Sequence, residues 1–181
     1  MMLNKCYFTC KGTGFTLVEL IIVIILISIL SVTVFSRFSG TSGFSEYAYQ
    51  ARLISALRNM QTRAMHDTRD DYCFQINFDS GLPAFGPPTL SYTTGSSADT
   101  CQTSIDFTNA DYLTTSATEM TAAQVSLSTL PSFSSIAFNS LGQPVAATGE
   151  LTCSSRCEIV LTGESALSVC IESQGYIHAC E

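Results

Sequence analysis

Eight cysteines, two histidines and a set of carboxylates are the side chains with which this chain could bind metal, cross-link or catalyse. Cys6 and Cys10 precede a long apolar run, whereas Cys73, Cys101, Cys153, Cys157, Cys170 and Cys180 follow it. Cysteines gathered beyond such a run point to an oxidising compartment and to disulfides whose pairing the sequence leaves open; buried free thiols are the alternative. Cys153-Ser-Ser-Arg-Cys157 and the Cys170 to Cys180 interval lack the short paired spacings and the histidines of a zinc site. Asp67, Asp70 and Asp71 either bind calcium with loop carbonyls or form a solvated helix end. His66 and His178 stand in neither a Gly-x-Ser-x-Gly turn nor a His-Glu-x-x-His pair. The reading therefore assigns no catalytic, cofactor-binding or metal residue, and expects no enzyme.

Glu19 is the chemically expensive residue. It is the only charge in residues 17–35, which are otherwise apolar, Ser or Thr. An acid in such a segment costs on the order of 2.5 to 3.5 kcal/mol, so it needs a partner or must reach the headgroups. Residues 15–35, as a helix at about 1.5 Å per residue, span roughly 31 Å, the thickness of a bilayer core. Lys5 and Lys11 before the run, opposed only by Arg37, place the N-terminus in the cytoplasm and export the rest. The run exceeds the apolar region of a secretory signal, roughly 7 to 15 residues, and Ser36-Arg37-Phe38 is a poor cleavage site.

The remaining composition is that of one exported domain. A hydrophobic fraction of 46% with only 13% charged residues argues against disorder and against a charged coiled coil. No Lys or Arg lies between Asp70 and Ser155, a stretch carrying Asp70, Asp71, Asp79, Asp99, Asp106, Asp111, Glu119 and Glu150. Such a surface repels phosphate backbones, and no nucleic acid is expected as a partner.

The residues before the run carry a resemblance. Lys11-Gly12-Thr13-Gly14 followed by Phe15-Thr16-Leu17-Val18-Glu19-Leu20 resembles the processing motif of type IV prepilins and the related type II secretion pseudopilins. The resemblance implies cleavage after Gly14 by a prepilin peptidase and methylation of the Phe15 amine. It also implies that Glu19 meets the N-terminal ammonium of a neighbouring pilin subunit in a helical filament. Glycine at the cut leaves the backbone open to a protease, and loss of the basic leader frees an apolar segment.

The elements that would position these residues follow from periodicity. Tyr47, Ala51, Ile54, Leu57, Met60 and Ala64 recur at helical spacing, which predicts an amphipathic helix over residues 45–66. Gly40 and Gly43 interrupt it from the first helix and favour a bend. Tyr72, Phe74, Ile76 and Phe78 alternate with polar residues as a half-buried strand. Residues 89–135 read as a decorated loop with short strands at 104–108 and 124–129. Further strands are expected at 135–139, 157–162 and 165–172, and at 176–180 beyond the turn at Gln174-Gly175. Gly163-Glu164 suits a two-residue hairpin turn, and that register sets Cys157 opposite Cys170. The expected organisation is a leader at 1–14, a membrane or filament-core helix at 15–38, an exported helix half at 39–70 and a β-rich domain at 71–181.

With the resemblance, these elements imply an α+β type IV pilin fold, a long N-terminal helix packed on an antiparallel C-terminal sheet. Phe138-Asn139-Ser140-Leu141-Gly142-Gln143-Pro144 is similar to an element of the pseudopilin-H and minor-pilin branch. The tail from Cys170 to Cys180 resembles that of minor pilins of mannose-sensitive haemagglutinin (MSHA) pilus systems. The family's closed C-terminal loop favours Cys170 with Cys180, which leaves Cys153 with Cys157 and Cys73 with Cys101. The implied function is a minor pilin of the inner membrane and then the pilus, which helps assemble or prime a type IV pilus used for adhesion; the alternatives are a type II secretion minor pseudopilin and a tethered module that never polymerises, the last set apart by the absence of cleavage after Gly14.

Overall fold

The computed structural model describes residues 15–38, 44–67, 74–88, 102–108, 112–146 and 153–180. The chain divides into two units, residues 1–40 and 41–181. The first contains α1 (Leu17–Phe38), whose first turn is closed by Thr16: its Oγ1 accepts the Glu19 N–H at 3.2 Å and its carbonyl accepts the Leu20 N–H at 3.2 Å. A Thr three residues before a Glu is a capping pattern, and it fixes the helix start beside Phe15.

The second unit is built on α2 (Ser45–His66) and two antiparallel four-stranded sheets. One sheet runs in the order β2 (Ala84–Gly86), β1 (Gln75–Asp79), β4 (Ser135–Phe138), β5 (Pro144–Val145). The other runs β3 (Ser126–Leu130), β6 (Arg156–Thr162), β7 (Ala166–Glu172), β8 (Ile177–Ala179). The α+β class is as expected, but two sheets stand where one was foreseen. Helix α2 packs on both and closes a single core that includes Leu53, Leu57, Met60, Ile76, Phe85, Ile136, Ile159, Leu161 and Ile171.

The buried stripe of α2 differs from the apolar one. Tyr47 and Ala51 are exposed, and the inward row runs Glu46, Gln50, Leu53, Leu57, Met60, Ala64. The two polar members are held by backbone of the larger sheet: the Glu46 carboxylate accepts from Ser165 N–H at 3.0 Å, and Gln50 donates to the Ser168 carbonyl at 2.8 Å. At the other end Gln61 Nε2 donates to the Gly142 carbonyl at 2.7 Å and the Gly175 carbonyl at 2.6 Å. Those carbonyls belong to the β4–β5 and β7–β8 turns, so one amide ties a turn of each sheet to the helix. Gly142 and Gly175 have φ of +77° and +89°, the left-handed region in which a side chain is strained.

Three further expectations are corrected. Strand β1 is buried on both faces, because residues 102–104 cover Gln75 and Asn77 and take their amide N–H groups on the Gln102 and Ser104 carbonyls. Within the expected loop, α3 (Ala117–Ala122) forms under a full capping box of Ser116 and Glu119, and β3 lies at Ser126–Leu130; Ile105 makes only an isolated bridge to Pro88. The β6–β7 connection is three residues long, Gly163 to Ser165, since Thr162 pairs with Ala166. That one-residue shift sets Cys157 opposite Ile171 and Glu158 opposite Cys170, so the expected Cys157–Cys170 juxtaposition does not occur.

Candidate functional site

Two regions carry the residues singled out by the sequence, and each is described by itself. At the N-terminal region, Gly14 lies outside the described residues and Phe15 is the first within them, 77% exposed. Every side chain from Phe15 to Ser31 is exposed, among them Leu17, Leu20, Ile24 and Ile27. An apolar surface of this extent marks contact with lipid or with other apolar chains. Among the described side chains of the helix, Ser28 and Ser31 donate to the Ile24 and Ile27 carbonyls, each at 2.7 Å. Back-bonding of this type removes a hydroxyl's need for water, as an apolar surrounding demands. Glu19 differs from these, an exposed carboxylate with no hydrogen-bond or ion-pair partner among the described residues. No helix among the described residues is long and apolar enough to cross a membrane; the side chains described in α1 span only residues 17–31.

At the C-terminal region the structure joins Cys170 to Cys180 and Cys153 to Cys157, with Cα separations of 5.2 Å in both. Cys73 and Cys101 lie outside the described residues, as do Asp70 and Asp71 of the possible calcium cluster. No metal-holding cluster occurs among the described residues. The Cys170–Cys180 loop carries a charged group on its surface. Arg156 Nε donates to Glu172 Oε1 at 2.7 Å, His178 Nε2 lies 3.2 Å from the same oxygen, and Tyr176 stacks on the His178 ring at 4.8 Å between centroids. The hydrogen bond from His178, followed by Arg156, holds the Glu172 carboxyl below the usual carboxylate range.

Glu46 is the functional-looking residue that sequence reasoning missed. Its side chain is fully shielded from solvent, and the Ser165 backbone N–H, then its own N–H, hold its carboxyl below the usual range against the opposing effect of burial. Its Oε2 has no partner among the described residues. Apolar spacing does not mark it, because its leading donor, the Ser165 N–H, comes from a turn more than a hundred positions away.

An α+β chain with an exposed apolar N-terminal helix followed by antiparallel sheets has the architecture of a type IV pilin fold. The chain matches the family model described as the prokaryotic N-terminal methylation motif over residues 11–35, a match consistent with a type IV pilin-like protein. The matched residues include Gly14, Phe15 and Glu19. No curated protein and no solved structure matches the chain.

Proposed function

We propose that this chain is a minor pilin, a non-enzymatic subunit that helps assemble or prime a type IV pilus of MSHA type used for adhesion. The observation that carries the reading is the methylation motif at residues 11–35, set at the head of a helix whose apolar side chains are uncovered. In this reading a prepilin peptidase cuts after Gly14 and Phe15 receives the methyl group. Before assembly the run at residues 15–35 anchors the subunit in the inner membrane by a single pass, N-terminus inside. After assembly the same run packs among other pilin subunits, where Glu19 meets a neighbour's terminal ammonium. Burial of that one ion pair offsets the cost of an acid among apolar chains.

A type II secretion pseudopilin is the second reading, favoured by the element from Phe138 to Pro144, which forms a strand and a turn through the left-handed Gly142. The exported cysteines favour the pilus. N-terminal mass spectrometry of the mature protein tests the common core: the expected product starts at a methylated Phe15. A mature protein that starts at Met1 or beyond Gly40 overturns both. Presence in sheared pili then separates the pilus from the secretion reading.

A further inference from the structure

A groove of the second unit lies beside the β1–β2 turn and has a volume of about 660 Å³, within the range of small-molecule sites. The β1–β2 turn, the loop at 103–107, Ala117 at the start of α3 and the segment at 132–134 wall it, so it is assembled from four stretches of chain. Asp79 is its only charged residue. Asp79 Oδ1 accepts the Gly81 and Leu82 N–H groups, both at 2.9 Å, which fixes the carboxylate while Oδ2 has no partner among the described residues. The hydroxyls of Ser80, Thr103 and Ser132 also line the groove, are exposed, and likewise have no partner among the described residues. Apolar surface comes from Phe107, 51% exposed, and from Phe133, whose ring is braced edge-to-face by Phe78 at 5.7 Å.

The ligand class follows from what these groups can and cannot do. No Lys, Arg or His occurs in residues 78–134, so the groove has no countercharge for a phosphate, sulfate or carboxylate. Hydroxyls that both donate and accept, one fixed carboxylate that accepts, and an exposed aromatic ring match a molecule with hydroxyl groups on one side and C–H surface on another. We infer that this groove binds an uncharged, polyhydroxylated ligand of sugar size, with Asp79 accepting from its hydroxyls and Phe107 covering its C–H face. The groove lies within residues 78–134 and does not depend on how the N-terminus is processed.

The full chain, purified in detergent, is tested against albumin conjugates bearing glucose, galactose or N-acetylglucosamine, with sialylated albumin and oligolysine as charged probes. Binding to at least one neutral conjugate is expected, with neither charged probe competing. Phe107→Ala weakens it roughly tenfold or more, as loss of an aromatic contact predicts, and Phe107→Tyr retains it. Asp79→Asn weakens it several-fold; because an asparagine oxygen still accepts from Gly81 and Leu82, the turn is kept and the thermal midpoint stays near wild type. Absence of binding to all three neutral conjugates, competition by either charged probe, or affinity unchanged in both Phe107→Ala and Asp79→Asn overturns the inference. The N-terminus of the same preparation, read by mass spectrometry, reports on processing separately.

Discussion

Glu46 shows how a single side chain can be costly and useful at once. A carboxylate withdrawn from water is destabilising unless donors replace its hydration, and here the backbone N–H of Ser165 does so at 3.0 Å. Because the folded carboxyl titrates below its unfolded value, it contributes stability that is fully present above the unfolded value, about 4.3, and is lost as pH falls through the lower folded one. Glu119 acts in the same direction, its carboxyl lowered first by the Ser116 backbone N–H of the capping box. Glu46→Gln keeps an acceptor for Ser165 but removes the charge. Denaturant titration of the domain at several pH values is expected to show a loss of about 1–2 kcal/mol at neutral pH and a flatter acid limb. An acid limb as steep as wild type refutes the assignment.

The elements show where sequence periodicity was sufficient and where it was not. The bounds of α2 and the strand pair around residues 156–172 were legible because apolar spacing and a Gly-containing turn bracket them. The inward face of α2 was not, since its first two members are Glu46 and Gln50, and an apolar count reads such positions as outward. Helix α3 was legible in principle from Ser116 and Glu119, whose reciprocal bonds start it; Ser116→Ala is expected to cost about 1 kcal/mol in the same denaturation assay. The sugar-sized groove could not be read, because its walls are brought together only by the fold. The β6–β7 turn also sits close to α2. A Cβ at Gly163 falls onto the Glu46 carboxylate, so Gly163→Ala displaces that side chain from the Ser165 N–H. A destabilisation of about 1–3 kcal/mol is expected from this overpacking, and a double-mutant cycle with Glu46→Ala is expected to recover much of it. Additive losses in the cycle place the strain elsewhere.

At the scale of the whole molecule, the two units meet different physical demands. In the second unit the described residues form one buried core, tied by Gln61 and, among those residues, by the disulfides Cys153–Cys157 and Cys170–Cys180. Residues 15–31 bury none, and within that surface Glu19 alone is charged. The motif there was legible because it is local: Gly14, Phe15 and Glu19 lie within one short stretch, and the family model spans the same residues. If the proposed filament is correct, Glu19 is a cost in the membrane and a gain in the assembly, so its removal must separate the two. Glu19→Ala is expected to leave membrane insertion intact or improved, by an amount on the order of 2.5 kcal/mol in an insertion assay, because an unpaired acid is removed from the apolar run. The same change is expected to lower recovery of the subunit in sheared pili several-fold at matched expression, because the neighbour's ammonium loses its countercharge. Equal recovery of wild-type and mutant subunits, with cleavage after Gly14 verified in both, would overturn the pairing of the Glu19 carboxylate with a neighbour's ammonium; the backbone N–H of residue 19, which bonds Thr16, is the same in both.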